Sequence, residues 1–140
     1  AIRIDPPVAA YRAEQVTNGV NRPHLTTNAW VAAQGDERPT LRLDWSEPQT
    51  IRELHLAFDT DFDHPLESVL MTHPERVAPF CVKHVRVLDD AQRCVAEISD
   101  NHQSRCKLNF QPPLSTSSLS IEVLETHGAP AAIFGVACHG

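Results

Sequence analysis

The stretch TIRELHLAF, residues 50–58, decides the fold. Leu54, Leu56 and Phe58 alternate with Glu53, His55 and Ala57, so apolar side chains fall on one face of an extended chain. A helix would repeat them at spacings of three and four instead. Just upstream, LRLDW at 41–45 reads as a strand and SEPQ at 46–49 as the turn that ends it. Downstream, CVKHVRVLDD (81–90) sets Val85 and Val87 against His84 and Arg86. The turn Asp89-Asp90-Ala91-Gln92 then leads into RCVAEISD. CKLNF places Leu108 and Phe110 on one face and stops at Pro112-Pro113. SLSIEVLE (118–125) turns Leu119, Ile121 and Val123 inward, and AIFGVAC (132–138) turns Phe134, Val136 and Cys138 one way. About seven short strands punctuated by turn residues predict an all-β sandwich. Helical signals are short: residues 11–19 form one turn ending at Gly19, and PLESVLMTHPERV starts at Pro65 and is cut by Pro74.

The chain has 140 residues, 41% hydrophobic and 21% charged, the composition and size of one globular domain. Residues 1–140 are read as that single domain. The sequence begins AIRIDPP without methionine, which leads us to expect a piece of a longer protein. A net charge of −6 without a Lys/Arg cluster argues against nucleic acid as a partner. No apolar run has the length of a membrane span. The four cysteines form no C-x-x-C pair, which leaves buried free thiols or one or two disulfides as readings.

Three regions carry candidate chemistry. FDTDFDHPLESVLMTHPERVAPFC (58–81) brings Asp59, Asp61, Asp63, His64, Glu67, His73 and Glu75 close in sequence. It opens like a calcium loop, but His64 stands where the loop needs glycine and Leu70 where it needs a bidentate glutamate, so no metal site is assigned. A capped, solvated connection is the simpler reading, with Asp63 or His64 capping a turn at Pro65. An acid/base pair of Asp61 with Glu67 or Glu75 is the third reading. The polar segment TNGVNRPHLTTNAWVA (17–32) carries Asn18, Arg22 and Trp30. Trp30 either stacks on a sugar ring or anchors the segment to the core, and Trp45, within a strand, reads as core. The third region, ETHGAP (125–130), joins the last two strands and carries His127. No dinucleotide fingerprint and no nucleophile elbow occur. Cys81 and His84 would fall on opposite faces of a strand, so no Cys–His pair is assigned.

In order, NGVNRP, NAWVA, LRLDWSEPQTIRELHLAFDTDF, VKHVRVLDD, CVAEISDN, KLNFQPPLSTSSLSIEVLETHGAP and IFGVAC resemble the galactose-binding-like β-sandwich. This jelly-roll fold is shared with discoidin domains and many carbohydrate-binding modules. More narrowly, AFDTDFDHPLESVLMTHPERVAPFCVKHVRV resembles the C-terminal domain of bacterial FAD-dependent oxidoreductases. That resemblance implies FAD in a missing N-terminal domain, with no cofactor and no catalytic residue in this chain. Its partner would be that flavin domain. Sugar-binding relatives of the fold often hold calcium between the first loop and an acidic residue of the last strand, where this chain has Gly135.

Three functions are therefore expected, in this order. The first is a non-catalytic accessory domain of a flavin oxidoreductase, packing on the catalytic domain or shaping its substrate access. The second is a carbohydrate-binding module using Asn18, Arg22, Trp30 and His127 at one end of the sandwich. The third is a small metal-dependent enzyme on Asp59, Asp61, His64 and His73.

Overall fold

The computed structural model describes residues 10–22, 24–59 and 81–140. The helix expected from Pro65 and the acidic and histidine residues of 61–75 lie outside the described residues. After a 3-10 helix at Ala13–Thr17, the strands are β1 (Trp30–Val31), β2 (Thr40–Phe58), β3 (Val82–Leu88), β4 (Cys94–Ile98), β5 (Arg105–Thr126) and β6 (Ala132–His139). They hydrogen-bond in the order β1-β6-β2-β5-β3-β4, and each neighbouring pair is antiparallel.

Two long strands build both layers. The second half of β2 pairs on one side with β6 (Leu54↔Cys138, Leu56↔Val136) and on the other with the start of β5 (Leu54↔Leu108, Leu56↔Cys106). The first half of β2 pairs with the far end of β5 (Leu41↔Ile121), whose other edge holds β3 (Val87↔Ile121). Register breaks between Asp44 and Gln49, and again between Ile51 and Glu53, bend the pair between these halves. The chain is thus an all-β jelly-roll sandwich of the galactose-binding, discoidin-like type.

Two expectations need correction here. SEPQ is not a turn between two strands but the bulged middle of β2. Pro112-Pro113 does not end a strand either. β5 runs on through a cis Gln111-Pro112 bond. Turn-forming residues and proline are tolerated at both places because the ladder is already broken there. The 3-10 helix falls within the turn expected at 11–19, and Gly19 follows it with φ +81°. The β3–β4 hairpin turns where expected, with Gln92 N–H donating to the Asp89 carbonyl at 3.0 Å and Gln92 left-handed at φ +60°.

The core between the layers takes Leu54, Leu56 and Ile133 from one side and Val85, Val87, Leu119 and Ile121 from the other. Each of these is at most 1% exposed. Full burial of such a side chain stabilises by about 1.5–3 kcal/mol. Trp45 packs on this core from β2. The expected facing of AIFGVAC holds for Val136 and Cys138 but not for Phe134. Ala57 pairs with Gly135 and Phe58 with Ile133, so β6 carries one extra residue at Phe134. That bulge turns Phe134 to the outer face, where it packs with Ala29 and Ala57 and fastens the first loop to the sheet. All four cysteines are free thiols.

Candidate binding cleft

The outer face of the first layer is a grid set by strand register. Arg105, Ala57 and Gly135 lie side by side on β5, β2 and β6, and one step along lie Lys107, His55 and Ala137. A third row holds Asn109, Glu53 and His139. Neighbours within a row are about 4.8 Å apart across strands, and successive rows are about 7 Å apart along them. In the first two rows β2 and β6 carry the small residues Ala57, Gly135 and Ala137, and β5 carries the cations. Small side chains leave a hollow beside the long ones. The hollow is a cleft of about 390 Å³ whose far side is closed by Val16, Thr17, Gly19 and Asn21.

The first loop is shaped for that position. Gln15 Oε1 accepts hydrogen bonds from Thr27 Oγ1 at 2.6 Å and from the Ala29 N–H at 3.1 Å, tying the 3-10 helix to the strand entry. Asn18 Oδ1 accepts from the Val20 N–H at 2.7 Å, an Asx turn that Gly19 completes. Asn28, buried and left-handed at φ +47°, accepts from Asn18 Nδ2 at 2.8 Å and Thr26 Oγ1 at 2.6 Å and donates to the Arg22 carbonyl at 3.1 Å. The loop therefore comes down over β6 at Gly135. A methyl group built at Gly135 would lie 2.1 Å from Asn21 Oδ1. The absence of a side chain there admits the Asn21 amide, which has no hydrogen-bond partner among the described residues.

The charges are partly organised by one carboxylate. Glu53 Oε1 pairs with Lys107 Nζ at 2.7 Å and Glu53 Oε2 with His55 Nε2 at 3.0 Å. The Lys107 ammonium and then the His55 ring hold the Glu53 carboxyl below its ordinary range. The His139 ring lies 4.5 Å from that of His55, tilted by 53°. Arg105 is exposed, and its guanidinium has no partner among the described residues. Cys106 also lines the cleft, and burial pushes its thiol up.

The residues singled out from sequence do not form one site. Asn18 and Arg22 share the first loop, where the Asn18 amide holds Asn28 and the Arg22 carbonyl accepts from it. Arg22 borders a separate shallow hollow with Val20, His24 and Leu25. Trp30 pairs with Ile133 and packs on the core, half-buried. His127 Nε2 donates to the Asn101 carbonyl at 2.8 Å, in the turn between β5 and β6. The cleft residues Asn21, His55, Arg105, Lys107 and Gly135 escaped the sequence reading. For His55, Lys107 and Gly135 the signal was present in the outward positions of TIRELHLAF, CKLNF and IFGVAC, but only strand order makes them neighbours. Among the described residues, no His, Cys, Asp and Glu side chains cluster as a metal site.

No family model matches the sequence, and no curated protein matches it. Solved structures do. The family 32 carbohydrate-binding module of Streptococcus pneumoniae EndoD superposes with a TM-score of 0.69 at 13% identity, covering 97% of this chain and 90% of that one. Chitosan-binding module 1 from the chitosanase/glucanase of Paenibacillus sp. IK-5 gives 0.66 at 11% identity, covering 95% and 88%. A fucolectin from striped bass (Morone saxatilis) serum gives 0.65 at 16% identity, covering 91% of this chain and 41% of that one. At these identities the likeness is one of fold.

These matches overturn the flavoenzyme expectation. Across nearly its whole length the chain superposes on carbohydrate-binding modules and a lectin. The FAD inferred from that resemblance falls with it. The resemblance rested on the stretch 57–87. Its described ends are two strands, and their alternation is common to any sandwich of this kind.

Proposed function

We propose that this chain is a non-catalytic carbohydrate-binding domain that takes its sugar in the cleft between the first loop and the outer face of β6-β2-β5. The observation that carries the reading is the Asn21 amide, without a hydrogen-bond partner among the described residues, over a floor of small residues beside His55, Arg105 and Lys107. Sugar hydroxyls both donate and accept. An amide offers both roles, and cations and imidazole offer donors. Small floor residues let the flat apolar face of a pyranose approach the sheet. The sugar-binding proteins that share the fold support the same class of ligand. The test is calorimetric titration of the chain with a panel of neutral and charged oligosaccharides. Saturable binding that weakens in Asn21→Ala is expected, and a panel without any binder refutes the proposal.

A further inference from the structure

We infer that the cleft selects glycans bearing an anionic substituent, a uronate carboxylate or a sulfate ester, and that Arg105 is the residue that reads it. The inference rests on the glycan-binding reading above and sharpens it. The chain has 18 acidic against 12 basic residues, yet the described residues lining the cleft include Arg105, Lys107 and His55 and no carboxylate. Among the described residues that line the cleft, a ligand with a negative charge thus meets no carboxylate. Glu53 stands one row beyond Lys107 and is engaged by Lys107 and His55, and Asp59, two positions beyond Ala57 in the chain, is not among the residues that line the cleft.

The two cations differ. Lys107 leans along β5 toward Glu53, so its charge is partly answered by the protein. Arg105 faces Ala57 across the strands, with Gly135 beyond, and has no such partner among the described residues. A guanidinium offers paired N–H groups that match the two oxygens of a carboxylate or sulfate, an arrangement an ammonium does not reproduce. Cations on an edge strand also discourage pairing with another chain. That role needs charge along the edge but no hollow beside it. Here the hollow is made by three small residues on the two adjacent strands, within reach of the same guanidinium. Asn21, on the opposite wall, supplies the neutral hydrogen bonds to the ring hydroxyls, and Arg105 supplies the selection for charge.

The experiment titrates the chain with three matched oligosaccharides, one uronate-bearing, one sulfated and one neutral, alongside Arg105→Gln and Arg105→Lys. Because the side chain is exposed, both variants keep the parent melting temperature. The expected result is tighter binding of at least one acidic oligosaccharide than of the neutral one, weakened by added salt. Arg105→Gln then lowers that affinity about tenfold or more, and Arg105→Lys recovers it only in part. Whichever acidic arm binds names the substituent. Equal binding of neutral and acidic forms, unchanged in Arg105→Gln, overturns the inference and leaves the glycan reading standing. Failure of all three arms, and of a wider glycan panel, removes both.

Discussion

Replacing Gly135 with alanine probes the cleft and the sheet at once. A Cβ at this position falls 2.1 Å from Asn21 Oδ1 and 3.0 Å from Asn21 Cγ, so the amide must leave. The next nearest atom, Ala57 Cβ, is 3.5 Å away, an ordinary contact. Only the far end of one exposed side chain has to move. Displacing it costs about 0.5–1 kcal/mol, and removing a glycine from a strand interior returns about 0.5–1 kcal/mol. Stability therefore stays within about 1 kcal/mol, a Tm change of roughly 3 °C at this chain length. Binding behaves differently. Loss of one neutral hydrogen bond from the Asn21 amide to the sugar costs about 1 kcal/mol, roughly fivefold in Kd. Asn21→Ala alone gives the same loss, and the double variant loses no more, because both substitutions remove one interaction. Thermal unfolding and calorimetry on the four proteins complete the cycle. The reasoning is refuted if Gly135→Ala lowers Tm by about 8 °C or more with Asn21 already alanine. The strand itself, rather than the amide, would then exclude a side chain.

Other perturbations test the frame that holds the cleft. Leu54→Ala empties a fully buried site between the layers and is expected to cost about 2–5 kcal/mol, read as a lower urea midpoint with an unchanged slope. Asn28→Ala strips the partners from Asn18, Thr26 and the Arg22 carbonyl and leaves at φ +47° a residue that tolerates the left-handed region less well than asparagine. In thermal unfolding Asn28→Gly, which loses the same bonds without the backbone strain, is expected to be more stable than Asn28→Ala by about 1 kcal/mol. Burial opposes ionisation of Asp89, but the Arg93 backbone N–H and guanidinium outweigh it and hold the carboxyl below its usual range. Its stabilisation is present above the unfolded pKa and is lost as pH falls through the lower folded one. Asp89→Asn is therefore expected to flatten that acid limb of the stability curve, and an unchanged limb contradicts the assignment.

Much of the fold was legible because burial on one face writes itself into a strand as alternation. TIRELHLAF, CVKHVRV and SLSIEVLE each read correctly for this reason. What misled were residues whose local meaning the sheet overrides. SEPQ and Pro112-Pro113 look like strand ends, yet each lies within a long strand where the ladder is already interrupted. Phe134 reads as core by parity, and one bulged residue moves it to the other face. The cleft was illegible for a different reason. Its residues come from segments far apart in sequence, and they become neighbours only through a strand order that places β2 between β5 and β6. Trp30 drew attention as an aromatic in a polar segment, but its neighbours Asn28 and Ala29 are buried, and its ring follows them onto the core.

Sugar binding in this cleft is tested most directly by following backbone amide resonances of the chain during titration with an oligosaccharide that it binds. The largest shifts are expected on residues 17–21, His55, Ala57, Arg105, Lys107, Gly135 and Ala137, the walls and floor of one cleft. Shifts centred instead on Trp30 and His127, or spread over the β3–β4 face, would contradict binding there.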